Sequence, residues 1–439
     1  MEIQDIVERA KSIPGIVNLN PMQTDALECK SRNLILIAPT GSGKTLAFGM
    51  SALKHVTPDI EQTQVIVIAP SRELVMQIQS VMKILARSMK VVSLYGGHNV
   101  ADEIASLSPT PQIIIATPGR LLDHLQRGNL KAPTKLNVLV LDEYDKSLQL
   151  GFEGEMKKIV ARLGSAGHII MTSATKLPEL PRYLNIESAQ IIESDDRAGS
   201  HLEVISVTSF NRDKLQALAE LLQSAQPGVR SIVFVNHRES AERVATYLRK
   251  CQIDAGLYHG ALDQQQRTIA VDLFANGTTP VLVATDLAAR GLDIEGVDSV
   301  IHYHLPVDEA AWTHRNGRTA RQGASGKAFV ILSEADNQPH FIQPDRPYQP
   351  KADAPEQFRS NAATLYFSAG KKEKISKADI LGFILANSNL SAENIGKIFV
   401  HDHFSLAAVP AAEAQKLLSS LSPNKLKGKR VKVSIVKHL

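Results

Sequence analysis

Cysteine is scarce in this chain of 439 residues, which contains only Cys29 and Cys251, far apart in the sequence. Neither cysteine has nearby histidine or cysteine residues at metal-ligand spacing, and two isolated thiols do not make a disulfide framework. The sequence therefore predicts neither a zinc site nor a disulfide-stapled fold. We expect a reducing, cytoplasmic location.

Long apolar runs are also missing, so no segment is expected to span a membrane. Residues 1–10 are charged and amphipathic, unlike a secretory signal. Hydrophobic residues make up 44% of the chain and charged residues 21%, which is ordinary for a globular protein. The length suggests about three domains, each able to bury its own core.

Positive charge is concentrated at one end of the chain. Residues 361–439 contain 12 lysine and arginine against 5 aspartate and glutamate, a net +7, whereas the whole chain carries +4 and the remainder therefore −3. This basic end is a candidate surface for a polyanion. A solvated charged surface would have the same composition.

The most specific motif is a glycine-rich stretch between the apolar run 34–37 and the helix-compatible run 46–53. A loop between a strand and a helix is where phosphates bind, because helix-start N–H groups face the anion. In this pattern Lys44 reaches the terminal phosphates and Thr45 ligates magnesium. Ala38 replaces the first glycine of the general pattern, and a chance turn is the alternative. The loop residues are Thr40, Gly41, Ser42, Gly43, Lys44 and Thr45.

A second strand end carries acidic side chains. The apolar run 138–141 leads into Asp142, Glu143, Tyr144 and Asp145. In nucleotide hydrolysis Asp142 would hold magnesium, and Glu143 would orient and deprotonate the attacking water. A solvated acidic turn is the alternative interpretation.

Two series of short apolar runs alternate with helical segments, which is typical of parallel sheets covered on both faces. Only the first series has a phosphate loop. Polar turns at 70–74, 96–97 and 117–120 follow its strands, at the sheet edge where ligands bind. Ordinary strand-end turns would look similar. The predicted strands are 65–69, 91–94, 113–116, 138–141 and 168–171, then 204–207, 231–235, 255–258, 280–284, 299–304 and 328–332.

The second series contains two polar stretches, 284–293 and 314–321. In the latter, Arg315, Arg318 and Arg321 recur every third residue and would line one side of a helical turn. Such a row of guanidinium groups pairs with phosphates or supplies arginine fingers to a nucleotide. A solvated basic helix face is the alternative.

Five prolines in residues 337–359 predict a linker. Beyond it, strands at 364–367, 397–400, 404–409 and 431–436 and helices at 377–386, 391–395 and 411–418 give the order β-α-β-β-α-β. This is the ferredoxin-like arrangement of RRM modules. We expect the strand aromatics to offer stacking surfaces for unpaired bases, unless they belong to the core. They are Tyr366, Phe367, Phe399 and Phe404.

In this order the motifs resemble those of DEAD-box RNA helicases, over residues 20–335. The resemblance implies two tandem RecA-like α/β domains, ATP and Mg²⁺ as cofactors, and ATP hydrolysis that unwinds short RNA duplexes or remodels RNA-protein complexes. The expected domains are 1–195 and 200–336, followed by a linker at 337–360 and an RRM-like domain at 361–439. The matching stretches are Gln23, 38–45, 70–74, 117–120, 142–145, 173–175, 233–238, 264–267, 284–293 and 314–321.

The resemblance also implies residue roles. The expected catalytic residues are Lys44, Asp142, Glu143, Arg318 and Arg321. The expected ATP-binding residues are Gln23, Thr40, Gly41, Ser42, Gly43, Lys44, Thr45 and Asp286, with Thr45 and Asp142 as metal ligands. The expected RNA-binding residues are Arg72, Gly97, Thr117, Arg120, Gln264, Arg267 and Thr285. The residues expected to couple hydrolysis to RNA are Ser173, Thr175 and His314.

Two positions depart from the family pattern. Tyr144 stands where the signature has alanine, so we expect the chemistry to survive while the coupling to Ser173 and Thr175 is left open. Ile6 stands 17 positions before Gln23, where the family usually has an aromatic residue that stacks on adenine. Adenine selectivity is therefore expected to be weaker than the family norm.

The basic C-terminal region resembles the RRM-like domain of the DbpA group of bacterial DEAD-box proteins, although the RNP1 consensus is not present. The resemblance implies recognition of a hairpin of large-subunit ribosomal RNA, and pre-ribosomal particles as partners. The alternatives are a general RNA helicase without that preference, a non-hydrolysing RNA clamp and a DNA translocase. The stretches that carry the resemblance are 371–372, 380–382, 394–398 and 427–429.

Overall fold

The computed structural model describes residues 1–39, 41–97, 99–176, 179–186, 188–194, 202–210, 213–226, 228–286, 296–319, 325–349 and 360–436. They fall into two compact units, one before and one after residue 200. No helix in these ranges is both long and apolar enough to cross a membrane.

The described part of the first unit contains a seven-stranded parallel sheet with strand order β3-β4-β2-β5-β6-β1-β7. Its strands are β1 (Asn33–Ile37), β2 (Val65–Ile68), β3 (Val91–Leu94), β4 (Ile113–Ala116), β5 (Leu136–Leu141), β6 (Ala166–Ser173) and β7 (Gln190–Glu193). Its helices are α1 (Ile3–Lys11), α2 (Pro21–Glu28), α3 (Lys44–Leu53), α4 (Arg72–Leu85), α5 (Val100–Ser106), α6 (Pro118–Gln126), α7 (Tyr144–Gln149) and α8 (Glu153–Leu163), with a 3-10 turn at Arg182–Leu184.

Both faces of this sheet are buried. Leu34 and Leu36 of β1 belong to one hydrophobic cluster, whereas Ile35 between them belongs to another. Successive side chains of a strand point to opposite faces, so a strand covered on both sides must be apolar throughout. The continuous apolar runs therefore predicted the sheet correctly, and only β7 falls outside the predicted strands.

The second unit contains another seven-stranded parallel sheet among its described residues, in the order β10-β11-β9-β12-β13-β8-β14. Its strands are β8 (Leu202–Ser209), β9 (Ser231–Val235), β10 (Ala255–Tyr258), β11 (Val281–Thr285), β12 (Ser299–His302), β13 (Gly326–Ser333) and β14 (Arg346–Pro347). Its helices are α9 (Leu215–Gln223), α10 (Arg238–Lys250), α11 (Gln264–Ala275) and α12 (Glu309–Asn316).

The first part of the predicted linker 337–360 belongs to this sheet, which corrects the expectation. Ile342 is 1% exposed and packs against the sheet, and the Asp345 carboxylate accepts a hydrogen bond of 2.7 Å from the Val204 N–H. Residues 346–347 then pair with β8 as an edge strand. An edge strand tolerates proline because one side of its backbone has no ladder partner, so the proline content was misleading.

The C-terminal region forms a four-stranded antiparallel sheet in the order β16-β17-β15-β20, with a small hairpin beside it. The ferredoxin-like order is confirmed, but predicted helix 391–395 is only a 3-10 turn at Ala392–Asn394, and predicted helix 411–418 starts later. The elements are β15 (Ala362–Phe367), α13 (Lys377–Ala386), β16 (Ile398–Val400), β17 (Ser405–Pro410), α14 (Ala414–Leu421), β18 (Lys425–Leu426), β19 (Lys429–Arg430) and β20 (Val433–Val436), with a further 3-10 turn at Lys371–Glu373.

One face of this sheet packs against α11 of the preceding α/β domain. Ile269 and Leu273 of α11 form a hydrophobic cluster with Phe404 and Leu406 of the sheet domain. Hydrogen bonds frame the contact: the Asn276 amide donates to the Thr364 hydroxyl at 2.8 Å, and His401 Nε2 lies 2.6 Å from Asp272 Oδ2. The two domains of the second unit are therefore joined by an apolar centre with a polar rim.

This contact corrects the expectation that the strand aromatics offer open stacking surfaces. Phe367 is fully buried in the domain's own core. Phe404 is 8% exposed and stacks on Tyr366 with ring centroids 5.6 Å apart, and both lie in the cluster that includes α11, as does Phe399. The apolar residues of α11 pack on the face on which an RRM stacks bases, and Tyr366 and Phe399 are half-buried there.

We expect Phe404→Ala to weaken this contact, because truncating a buried aromatic side chain costs about 3–5 kcal/mol. Hydrogen-deuterium exchange should then speed up at the amides of Gln264–Ala275. Phe210→Ala is the matched control, since that ring is 91% exposed. Unchanged exchange in α11 of the Phe404 variant would show that the sheet does not protect this helix.

Candidate functional site

The glycine-rich loop joins β1 to α3, as the sequence predicts. Gly41 and Gly43 have φ angles of 89° and 85°, in the left-handed region that favours glycine. A Cβ atom on Gly43 would lie only 2.3 Å from Gln23 Nε2. The backbone conformation therefore favours glycine at position 43, and any larger residue would also displace the Gln23 amide.

Lys44, the first residue of α3, is 7% exposed. Its ammonium group donates hydrogen bonds to the carbonyls of Ala38 and Pro39, the latter at 2.8 Å. Burial lowers the pKa of Lys44, while the nearby Glu143 and Asp142 carboxylates oppose that shift. The loop lysine and the two acidic residues thus share one electrostatic environment.

The N-terminal end of helix α2 is hydrogen-bonded to the glycine-rich loop. The Asn20 amide donates to the Ser42 carbonyl at 3.0 Å, and the Gln23 amide donates to the Gly43 carbonyl at 3.4 Å. Gln23 Oε1 also accepts from the Asn20 N–H, which completes a capping box. Ile6 is fully buried in the core, so it offers no surface for stacking on a base.

Asp142 and Glu143 follow β5 and are 3% and 4% exposed. The Thr172 hydroxyl of β6 donates to Asp142 Oδ1 at 2.6 Å and accepts from the Glu143 N–H at 3.0 Å. Burial, together with the charge of Glu143, raises the pKa of Asp142 to about 6. The second carboxylate has a cation beside it: Glu143 Oε1 lies 2.5 Å from the fully buried Lys146 Nζ.

The donors at this edge fit a magnesium ion bound with a nucleotide. The Asp142 carboxylate and Thr45 hydroxyl would supply the hard oxygen ligands that Mg²⁺ prefers. Two adjacent buried carboxylates repel one another, and a nearby dication would favour their ionised forms. The sequence did not single out Lys146, because a lysine in an acidic turn is ordinarily solvated.

Asp145 connects the acidic turn to the end of β6. Its Oδ2 accepts hydrogen bonds from the Ala174 N–H at 3.4 Å and from the Thr175 hydroxyl at 3.3 Å. The Ser173 hydroxyl donates to the Thr175 carbonyl at 2.5 Å. Of the residues expected to couple hydrolysis to RNA, Thr175 therefore contacts the acidic turn directly and Ser173 is hydrogen-bonded to Thr175.

Two of the predicted RNA-binding residues in the first unit touch each other. Gly97 has a φ angle of 99°, and a Cβ atom there would lie 2.6 Å from Arg72 Nη1. Thr117 precedes α6, whose Arg120 is paired with Glu103 at 2.6 Å. Glu103, which the sequence did not single out, also lies 2.8 Å from His124 and accepts the Tyr95 N–H at 3.1 Å.

Of the predicted row of arginines, the structure describes Arg315 and Arg318, and these two do not lie on one helix. Arg315 is 1% exposed and forms a two-pronged ion pair with Asp286, at 2.6 Å and 2.7 Å. Helix α12 ends at Asn316, so Arg318 lies in the following turn and is also buried. A buried guanidinium needs a carboxylate partner, and this pairing replaces the predicted alignment. Arg321 and Thr40 lie outside the described residues.

The other predicted residues of the second unit lie at strand and helix ends. Gln264 opens α11, and Arg267 Nη2 donates to the Gly260 carbonyl at 2.6 Å. Thr285 ends β11 and is 8% exposed, and His314 of α12 is 6% exposed. Thr285 therefore lies at a strand end, whereas Gln264, Arg267 and His314 lie in helices.

We expect Gly43→Ala to weaken nucleotide binding roughly tenfold or more, because alanine is strained at this φ angle and its Cβ would displace Gln23. Equilibrium titration with a fluorescent ATP analogue measures this. Gly154→Ala in α8 is the control, since no atom lies within 4 Å of a Cβ built there. Equal affinity in both variants would contradict the role of Gly43.

His302 predicts a dependence of stability on pH. Burial and the neighbouring Arg315 lower its pKa to about 3, from 6.5. The unfolded chain therefore binds a proton that the folded chain does not, so stability falls as the pH drops below 6.5 toward 3. The expected slope is about 1.4 kcal/mol per pH unit. In melting curves between pH 5 and 8, His302→Gln should show a shallower decline, and an identical decline would exclude His302 as the source.

Comparisons with known proteins identify the family of this chain. Three family models match the chain: DEAD/DEAH box helicase over residues 20–180, Helicase conserved C-terminal domain over 213–323, and DbpA RNA binding domain over 364–435. The structure of S. cerevisiae Dbp5 bound to RNA and ADP BeF3 is 26% identical, with a TM-score of 0.65, and the match covers 75% of this chain and 87% of that chain.

Two relatives match along almost the whole chain. The ATP-dependent RNA helicase DbpA of Escherichia coli (strain K12) is 34% identical over 96% of this chain and 95% of its own length. The ATP-dependent RNA helicase DbpA of Bacillus subtilis (strain 168) is 30% identical, with coverages of 93% and 92%. With its phosphate loop, acidic turn and C-terminal RNA-binding domain, this chain belongs to the DEAD-box ATP-dependent RNA helicases, within the DbpA group.

Proposed function

We propose that this helicase acts on ribosomal RNA during assembly of the large ribosomal subunit, where it separates short duplexes or remodels RNA-protein contacts. The observation that carries the proposal is the C-terminal domain: its sheet face is covered by α11, while a basic edge remains exposed. Such a domain adds a second RNA contact to those of the helicase core.

The proposed helicase activity requires an ATP site, to which we assign residues of the first unit. Lys44 would exchange its loop carbonyls for the more negative phosphate oxygens, and Gln23 would contact the adenine. Asp142 and Thr45 would hold Mg²⁺, which neutralises charge on the phosphates when bound. Glu143 would orient and deprotonate the attacking water.

The second unit would contribute positive charge and RNA contacts. Arg318 and Arg321 would stabilise the charge that develops on the transferred phosphoryl group. Asp286 would contact the ribose while Arg315 fixes the orientation of its carboxylate. His314 would take part in coupling. The proposed RNA-backbone contacts are Arg72, Gly97, Thr117, Arg120, Gln264, Arg267 and Thr285.

The basic edge of the C-terminal domain consists of two neighbouring segments. Lys427 of the β18–β19 hairpin pairs with Asp379 at 2.8 Å and donates to the Lys374 carbonyl at 3.1 Å, which joins the hairpin to the segment before α13. This arrangement concentrates cations around one exposed region, as phosphate recognition requires. The edge comprises Lys371, Lys372, Lys374, Lys377, Lys427, Lys429 and Arg430, all exposed.

The test is direct RNA binding at several salt concentrations. Reversing charge with Lys429→Glu and Arg430→Glu should weaken binding to large-subunit ribosomal RNA. The slope of log affinity against log salt should fall by about one for each phosphate that the variant no longer neutralises. Lys416→Glu in α14 is the control, because that side chain is also exposed but lies outside the basic edge. An equal decrease in affinity for ribosomal and unrelated RNA would favour a general helicase.

Gly97→Ala tests the proposed RNA contact of the helicase core. The added methyl group would push Arg72 aside, so we expect several-fold weaker stimulation of ATP hydrolysis by RNA. Hydrolysis without RNA should be unchanged, since Gly97 is remote from the phosphate loop in sequence and lies on a different strand end. Gly154→Ala should match the unmodified chain. Normal stimulation in the Gly97 variant would remove this position from the proposed RNA surface.

The two free cysteines agree with the cytoplasmic location that we propose.

A further inference from the structure

Tyr144 occupies the position that is alanine in the family signature, and the structure shows what the larger side chain contacts. It is 1% exposed and belongs to the hydrophobic core on one face of the first sheet. Its phenol oxygen lies 2.7 Å from that of Tyr183. Tyr183 sits in the 3-10 turn Arg182–Leu184, downstream of Ser173 and Thr175.

This pair of hydroxyl groups is a specific contact. Burial raises the pKa of both phenols, so both are neutral and one donates to the other. A buried hydroxyl without a partner pays the cost of desolvation, which favours keeping the two rings together. Lys157 Nζ of α8 lies 5.7 Å from the centroid of the Tyr183 ring, within range of a cation-π contact.

The pair adds a third connection between the acidic turn and the residues at and beyond the end of β6. The Thr172 hydroxyl binds Asp142, and Asp145 accepts from Thr175. Tyr144 extends this set beyond β6 to the turn at Tyr183. Three of the four residues from 142 to 145 are therefore hydrogen-bonded through their side chains to the stretch 172–183.

We propose that Tyr144 and Tyr183 form a positioning pair that ties Glu143 to the segment after Ser173 and Thr175. Glu143 immediately precedes Tyr144, the first residue of α7, and has a φ angle of 48°. A shift of the first turn of α7 would therefore move the backbone of Glu143. The pair holds that first turn against the segment beyond β6. Neither phenol is assigned to the nucleotide, so the pair acts through Glu143.

The proposal rests on the function proposed above, in which RNA binding drives hydrolysis. A displacement of Thr175 or of the turn at Tyr183 on RNA binding would be transmitted to Glu143 through the phenol pair as well as through Asp145. The bulky residue at position 144 thus has a coupling role in this chain.

The test is a double-mutant cycle with Tyr144→Phe, Tyr183→Phe and the double variant. Phenylalanine keeps the ring and removes only the hydroxyl group. Each single variant and the double variant should lower the number of duplexes separated per ATP hydrolysed by the same factor, about fivefold for one net hydrogen bond.

Tyr348→Phe is the matched control, because the Tyr348 hydroxyl makes no hydrogen bond within the described residues. Independent, multiplying effects of the two substitutions would overturn the proposal. It would also be overturned if the melting temperature fell while the ratio of duplexes to ATP stayed constant, because the pair would then serve packing alone.

The ATP hydrolysis assay separates failure of the proposed function from failure of the positioning pair. If RNA does not stimulate ATP hydrolysis by the unmodified chain, both the proposed function and the positioning pair are wrong. If the unmodified chain is stimulated and the phenylalanine variants match it in duplexes separated per ATP, only the pair is wrong.

Discussion

Five ionisable side chains are buried at one edge of the first sheet and interact with one another. Lys44, Asp142, Glu143, Asp145 and Lys146 are each at most 7% exposed, and their removal from water is tolerated because two cations lie among three carboxylates. The parallel sheet brings them together: β6 lies between β5, which ends at the carboxylates, and β1, which ends at the loop. A magnesium ion would enter an environment in which the carboxylates outnumber the cations and favour its binding.

The same edge explains how hydrolysis and RNA binding can communicate. Thr172 lies on the strand between the two charged ends and binds Asp142. The chain then continues through Thr175, which contacts Asp145, to Tyr183, which contacts Tyr144. The residues proposed to hold the nucleotide and the residues at and beyond the end of β6 therefore share side-chain contacts, so movement of one set would strain the other.

The C-terminal domain uses its sheet in a different way from an RRM that stacks bases. Its face packs on α11, the helix whose first turn carries Gln264 and Arg267. RNA held by the basic edge would therefore be bound by a domain fixed to part of the proposed RNA-binding surface of the core. Apolar burial supplies the attachment, and lysine and arginine side chains remain available for phosphates.

Local patterns predicted much of this protein. The phosphate loop, the acidic turn and most strands are each encoded by a short stretch of neighbouring residues. Long-range partners were not predictable in this way: Arg315 looks like a surface arginine until Asp286 is beside it. Lys146 pairs with its near neighbour Glu143, and the sequence did not show that both side chains are buried. Phe404 resembles an RNA-stacking residue because its partner, Leu273, is distant in sequence.

Proline content was misleading for a physical reason. The segment that starts at residue 337 has the composition of a linker, yet Ile342 is buried and residues 346–347 form an edge strand. Amino-acid composition indicates that a segment has no regular secondary structure. It does not indicate whether one apolar side chain of that segment packs on a neighbouring sheet.

The most direct test of the central claim is steady-state ATP hydrolysis by the unmodified full chain with no RNA, with large-subunit ribosomal RNA and with unrelated RNA of equal length. The account predicts slow turnover alone and stimulation by both RNAs, with ribosomal RNA effective at a lower concentration. Equal effectiveness of the two RNAs would contradict the proposed target. Turnover that does not respond to RNA would contradict the coupling on which the whole account depends.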